Sequence, residues 1–400
     1  MTSSTSRSRL VVDVSHTFRS GYQTGIQRVV REFAKNITTE NDYCIGWFPI
    51  FTKKYFVELG RDELVRSSTL EFQGTSKGMI ARHLQKLLFM FPQFRGALIS
   101  INEWILLIKL LIRKKDVTFH KVKADDRVLL IDAFWADSKS VRRLKRFEQM
   151  DIDVFLFVHD LFPISNPEWF RENQVIQFKE AMCQALRMSS GILCSSQFVK
   201  SEILSMSHKI PMKHANVAIV KLACSYTNLE SAQTQRSGIV ILGTIEPRKN
   251  IPLILDWLEK YSPEESVLFI GRRGWESQHT IIRLEFLVAS GRANWIEDAS
   301  DLQVISYLAR NRVGILASKA EGFGLPILEY AKFGLHVLAH DIPVFREIGA
   351  GGTLYFKSID ELQTAYLSTR KLPQPQPIQS EYSWMNFSKG VLANVDTVEC

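Results

Sequence analysis

The chain has 400 residues, 46% of them apolar and 23% charged, without a low-complexity tract or a short-period repeat. That excludes a disordered or repeat protein and exceeds what one hydrophobic core ordinarily supports. A net charge of +8 favours a polyanionic partner, whether nucleic acid, an anionic membrane face or the phosphates of a nucleotide, without choosing among them.

Residues 10–14 form a Leu/Val-rich run of the kind buried on both faces of a parallel sheet. The loop 20–25, containing Gly21 and Gly25, then enters a predicted helix at 26–35, whose start is suited to a phosphate. Residues 60–123 break this pattern. They are rich in Lys and Arg yet carry helical apolar spacing at Ile80, Leu84, Leu87, Leu88 and Phe91, and again at Trp104, Ile105, Ile108, Leu111 and Ile112. The segment is expected to be a helical insertion packed on the first domain; a lipid-facing surface is the alternative, because Arg113, Lys114 and Lys115 flank the second apolar face.

Strand-like runs resume at 128–131, 154–158, 191–194 and 217–220. A polar segment, 225–237, separates them from a second series at 239–243, 267–271, 294–296, 313–317, 335–339 and 353–356, with helical patterns such as 281–290 and 302–310 between. Two rounds of strand and helix alternation predict two α/β parallel-sheet domains, 1–230 and 231–378. A last helix within 379–400 is expected to return to the first domain. The five cysteines lack CxxC spacing, so neither a zinc site nor a disulfide framework is indicated and a reducing cytosol is expected. The apolar run at 10–12 is too short for a signal peptide, and Asn102, Glu103 and Lys109 interrupt the longest apolar stretch.

Ligands of open α/β sheets bind beyond the carboxyl ends of the strands, so residues just after each strand are the first candidates. After 313–317 comes a Gly-flanked turn, Glu321, Gly322, Phe323, Gly324, Leu325, entering a helix that contains Glu329. Free N–H groups there suit a phosphate, and two carboxylates suit a polyhydroxylated ligand. Gly243 and Thr244 lead to Arg248 and Lys249, adjacent cations able to neutralise a diphosphate leaving group. His159 and Asp160 follow 154–158, and Asp132 and Trp135 follow 128–131, on the acceptor side of the same edge.

Glu321 to Glu329 resembles the Glu-x7-Glu signature of the large retaining glycosyltransferase family with the GT-B fold, which includes bacterial glycogen synthases, sucrose synthase and many lipopolysaccharide mannosyltransferases. GTIEPRKN at 243–250, FVHDLFP at 157–163, GIQRVVR at 25–31, IPVFRE at 342–347 and YSW at 382–384 resemble it in the same order, most like bacterial polysaccharide and O-antigen mannosyltransferases. The resemblance implies two Rossmann-like domains facing each other across a cleft. It implies that Glu321 meets the donor sugar through its hydroxyls, with Gly322, Phe323 and Gly324 supplying backbone N–H groups and Leu325 beside them in the nucleotide-sugar site, and that Glu329 binds ribose. Lys249 and Arg248 would hold the diphosphate, His159 would touch the sugar, and Gly25 would let the first domain approach the phosphates. Where many members have Arg, this chain has Thr244, which shifts the load to Arg248.

The expected activity is therefore retaining transfer of a hexose, with GDP-mannose the preferred donor and UDP-glucose, UDP-N-acetylglucosamine or dTDP-rhamnose the alternatives. The acceptor is expected to be a cell-surface glycan or lipid-linked saccharide, at the inner face of the plasma membrane. No metal or other cofactor is expected. Asp151 and Asp153 spell the Asp-x-Asp of metal-dependent transferases but precede a strand instead of following one. A glycoside hydrolase has no use for Arg248 and Lys249 beside a phosphate-type turn. A nucleic-acid-binding protein is the rival from another class, disfavoured because the basic residues are not interleaved with aromatics.

Overall fold

The computed structural model describes residues 9–20, 25–37, 43–49, 55–67, 106, 107, 110, 117, 119–137, 139–213, 216–226, 236–275, 277–378 and 382–397. Two sheets organise them. The first comprises β1 (Leu10–Asp13), β2 (Tyr43–Trp47), β3 (Tyr55–Leu59), β4 (Phe119–Lys121), β5 (Arg127–Leu130), β6 (Asp153–Val158), β7 (Ser189–Cys194) and β8 (Val217–Ile219). Their spatial order is β4-β3-β2-β1-β5-β6-β7-β8. The second comprises β9 (Ile239–Leu242), β10 (Val267–Ile270), β11 (Asn294–Ile296), β12 (Val313–Leu316), β13 (His336–His340) and β14 (Leu354–Phe356), in the order β11-β10-β9-β12-β13-β14. Every pairing in the second sheet is parallel, and its order is that of a Rossmann domain.

In chain order the helices are α1 (Ser15–Ser20), α2 (Gly25–Asn36), α3 (Arg61–Ser67), α4 (Ser140–Gln149), α5 (Phe162–Ser165), α6 (Glu172–Met188) and α7 (Gln197–Ser207). In the second half they are α8 (Ile251–Tyr261), α9 (Gln278–Ala289), α10 (Asp301–Arg310), α11 (Leu325–Lys332), α12 (Pro343–Ile348), α13 (Ile359–Thr369) and α14 (Trp384–Asp396). The central strands β9, β10 and β12 (IVIL, VLFI, VGIL) are buried throughout, as strands covered on both faces must be. Gly314 in β12 leaves room for the ring of Tyr330, which a Cβ there would meet at 2.3 Å. Tyr330 can then press α11 against the sheet, its hydroxyl donating to the Val240 carbonyl at 3.2 Å and accepting from the Leu242 amide at 2.8 Å. That anchor sets the start of α11, and with it Glu329, at the carboxyl edge.

α14 crosses back to the first domain. Phe387 packs edge-on against Phe33 of α2 at 6.0 Å and Phe157 of β6 at 5.5 Å, and Arg127 donates to the Asp396 carboxylate at 3.0 Å.

The structure adds strands that the sequence reading did not contain. β2 extends the parallel sheet, and β3 and β4 close its edge antiparallel. The segment 60–123 is accordingly not helical insertion alone, since β4 lies within it. Among its described residues, Leu64, Leu107 and Leu110 are buried in the first domain's core. Ile80 to Phe91, Trp104, Ile105, Ile108, Leu111, Ile112 and Arg113 to Lys115 lie outside the described residues, as do Gly21 to Thr24. No helix among the described residues is long and apolar enough to cross a membrane.

Candidate functional site

Residues that follow the carboxyl ends of the two sheets meet, Gly322 after β12 against His159 after β6 and Ser196 after β7, and the switch points where each sheet reverses its order lie at β1/β5 and β9/β12. In such sheets that is where a ligand crevice forms. The turn 321–324 after β12 docks on the ends of β6 and β7. Ser196 Oγ donates to the Gly322 carbonyl at 2.6 Å and Ser195 Oγ at 3.3 Å. Gly322 is so close to the first domain that a Cβ would stand 2.1 Å from the His159 carbonyl oxygen. Gly324 adopts φ of +84° as N-cap of α11, a conformation that costs glycine least. Phe323 points into the core, 4% exposed, and Leu325 is half-buried at the helix start, so Phe323 can meet a ligand only through its backbone.

Gly243, at φ +147°, packs against the Lys249 side chain, which a Cβ would approach to 3.3 Å. The chain then enters a short 3-10 turn, Pro247–Lys249, and α8. Lys249 Nζ donates to Glu321 Oε1 at 2.6 Å, Arg248 donates to Oε2 at 2.5 Å, and Ser318 Oγ donates to Oε1 at 2.7 Å. Burial alone would raise the Glu321 carboxyl, but Arg248 and Lys249 outweigh it and hold the group down to about 2. Glu321 is therefore an anion and a hydrogen-bond acceptor, not a proton donor.

Arg248 is more engaged than the sequence suggested. Its guanidinium also donates to Glu246 at 2.7 Å and the Ala320 carbonyl at 3.1 Å, and lies 5.5 Å from the centre of the Phe162 ring. It ties two carboxylates to the wall of the cleft, leaving Lys249 the better placed of the two cations to meet a diphosphate. Thr244 is half-buried on the same loop.

His159 is 7% exposed, and its Nε2 lies 2.7 Å from the Ile131 carbonyl. A carbonyl only accepts, so Nε2 carries the proton and Nδ1 is left as an acceptor. Burial lowers the pKa of the ring and keeps it neutral. Asp160, half-buried beside it, is pushed up to about 6 by desolvation, which the nearby Arg248 only partly offsets. Asp132 serves the fold: its carboxylate accepts from the Thr17 amide at 2.6 Å, the Thr17 hydroxyl at 2.9 Å and the Ala133 amide at 2.8 Å. Trp135 packs against Phe178 at 5.0 Å, within the first domain's own layer. Gly25 opens α2 at the cleft and is exposed.

Several residues of the site had no role in the sequence reading. Arg28, on α2, donates to Glu329 Oε1 at 2.7 Å, to the Tyr226 hydroxyl at 2.6 Å and to Asp301 at 3.2 Å. Glu246 and Ser318 support Arg248 and Glu321. Arg28 sits within the GIQRVVR stretch, but no local pattern announces a partner 301 residues away. Asp153 opens β6 and accepts from Ser190 at 2.5 Å, so the Asp-x-Asp lies at the edge of the sheet opposite the cleft.

Residues 230–356 match the family model described as Glycosyl transferases group 1. Over 221 residues the chain is 27% identical to a serotype-specific mannosyltransferase WbdA of Escherichia coli, an alignment covering 50% of this chain and 27% of that protein. It is 24% identical over 226 residues to the O-antigen chain mannosyltransferase RfbU of Salmonella typhimurium, covering 54% and 60% of the two chains. The chain thus spans only about a quarter of the length of the first relatives it matches. In structure it superposes on Anabaena HepE in complex with UDP-glucose with a TM-score of 0.59 at 14% identity, over 98% of this chain and 96% of that one. Sucrose-phosphate synthase from Thermosynechococcus elongatus gives 0.55 at 13% identity, over 98% and 96%. Residues 230–356 are therefore similar to a glycosyltransferase group 1 domain, and the whole has the two-domain GT-B fold that it shares with these structures.

Proposed function

We propose that the chain is a retaining glycosyltransferase that moves mannose from GDP-mannose to a saccharide or lipid-linked saccharide, without a metal ion. The observation that carries this reading is the convergence of Lys249, Arg248 and Glu321 on the loops after β9 and β12, beside the turn that docks on the ends of β6 and β7. A diphosphate leaving group gains charge as its bond to the sugar breaks, and a cation already fixed there stabilises that charge without reorganisation. Lys249 supplies this cation, and Glu321, ionised at any working pH, accepts from sugar hydroxyls. His159, neutral and fixed at Nε2, presents Nδ1 to the sugar face. Retention follows from the resemblance to the Glu-x7-Glu family, and mannose from the likeness to WbdA and RfbU.

We place the enzyme in the cytoplasm; contact of the basic stretch at Arg113 to Lys115 with anionic lipid at the inner face of the plasma membrane is the alternative to packing of its segment on the first domain. The test is a screen of GDP-mannose, UDP-glucose, UDP-N-acetylglucosamine and dTDP-rhamnose for diphosphonucleoside release. GDP-mannose should be turned over fastest; preference for another donor overturns the choice of mannose, and inertness toward all overturns the activity.

A further inference from the structure

Glu329 is 3% exposed and is met from the opposite domain: Arg28 reaches across the cleft from the first turns of α2 to Glu329 Oε1 at 2.7 Å. Arg28 is itself fixed from two further elements. Its other terminal nitrogen donates to the Tyr226 hydroxyl at 2.6 Å and to Asp301 at the start of α10 at 3.2 Å, and its guanidinium lies 4.6 Å from the centre of the Tyr226 ring. Tyr226 stands at the end of the described part of the first domain, and its hydroxyl also lies 3.3 Å from Asp301. One guanidinium thereby joins the first domain, the crossing between domains and two helices of the second.

We propose that Arg28 is a positioning residue of the nucleotide site: it holds the Glu329 carboxylate in the orientation that a nucleotide ribose requires, so that the ribose contact is complete only when the two domains are together. The inference rests on the reading of Glu329 as the ribose ligand. A buried carboxylate with one oxygen fixed by a bidentate-capable guanidinium has lost most of its rotational freedom, which otherwise would be lost on binding. The charges facing Glu329 agree with this role. Burial raises its carboxyl, Arg28 is the strongest opposing charge, Asp301 adds to the rise and Lys249 counters it. Removing Arg28 leaves the acidic neighbour and the burial, which favour a protonated carboxyl that no longer accepts two hydroxyls.

The test uses the full chain and calorimetric titration with GDP, UDP and inorganic pyrophosphate, comparing the parent with Arg28→Met, Arg28→Lys, Glu329→Gln and the double variant Arg28→Met/Glu329→Gln. The double variant leaves no uncompensated buried charge at Glu329 and keeps the comparison available if Arg28→Met alone folds poorly. Arg28→Met should weaken the nucleoside diphosphates by about tenfold or more while pyrophosphate, which lacks ribose, stays within about twofold; Arg28→Lys should recover part of the loss. Because Arg28 acts through Glu329, the double variant should be no weaker than Glu329→Gln alone. Parent-like nucleotide binding by Arg28→Met, losses that multiply in the double variant, or an equal loss toward pyrophosphate would each overturn the proposal while leaving the glycosyltransferase reading intact. Failure of the parent itself to bind GDP, UDP and pyrophosphate overturns both.

Discussion

Lys249 and Arg248 both pair with Glu321, at 2.6 and 2.5 Å, so in the proposed reaction a diphosphate competes with a carboxylate for the same cations. Glu321→Ala and Lys249→Ala should each lose on the order of 10²-fold or more in turnover, the scale of one preorganised electrostatic contact, with the far-ultraviolet circular dichroism of the parent. Glu329→Ala should mainly weaken nucleotide binding, because a ribose contact is made equally in ground and transition states. Asp160 makes a separate prediction through stability. Its folded pKa of about 6 lies above the ordinary 3.8, so its contribution is whole below 3.8 and lost as pH rises through 6. Asp160→Asn should therefore melt at a higher temperature than the parent at about pH 7.5, with the gain gone below about pH 4. An equal gain at both pH values would contradict the assigned burial of that charge.

The docked turn 321–324 shows what a single element contributes. Any side chain at Gly322 drives into the His159 carbonyl, which is backbone and cannot rotate away. Gly322→Ala should push the domains apart and reduce turnover on the order of 10²-fold, while GDP still binds the second domain; parent turnover in this variant would show that the contact is dispensable. The second sheet was fully legible in sequence because strands such as IVIL and VLFI are buried on both faces and read as unbroken apolar runs. β2 and β3 escaped notice for the converse reason. Gly46 interrupts one, where a Cβ would meet Val11 at 2.7 Å, and Tyr55 and Glu58 of the other are exposed. The candidate site was legible as motifs after strands, but their cross-domain partners Arg28, Ser195 and Ser196 were not, since only the folded topology brings them to Glu329 and Gly322. For the 60–123 segment, Arg113→Glu/Lys114→Glu/Lys115→Glu should release the protein from anionic vesicles with GDP binding unchanged; equal retention of parent and variant would leave its apolar faces as packing alone.

At the scale of the molecule, the two domains meet through polar contacts beside a continuous apolar cluster that includes Tyr226, Phe323, Ile327 and Phe387. Besides Ser196 to Gly322 and Arg28 to Glu329, the Gln197 amide at the start of α7 donates to Glu347 at 2.9 Å, and Trp275 Nε1 donates to the Trp169 carbonyl at 2.7 Å. The central claim is that the cations at this interface, fixed by protein alone, stabilise a departing nucleoside diphosphate. It is tested most directly by the initial rate of GDP release from GDP-mannose in excess EDTA, for the parent and for Lys249→Ala. The parent should turn over at an undiminished rate in the chelator and Lys249→Ala should be slower on the order of 10²-fold. Abolition of the parent's activity by EDTA with rescue by manganese, or a folded Lys249→Ala that matches the parent, would contradict the account.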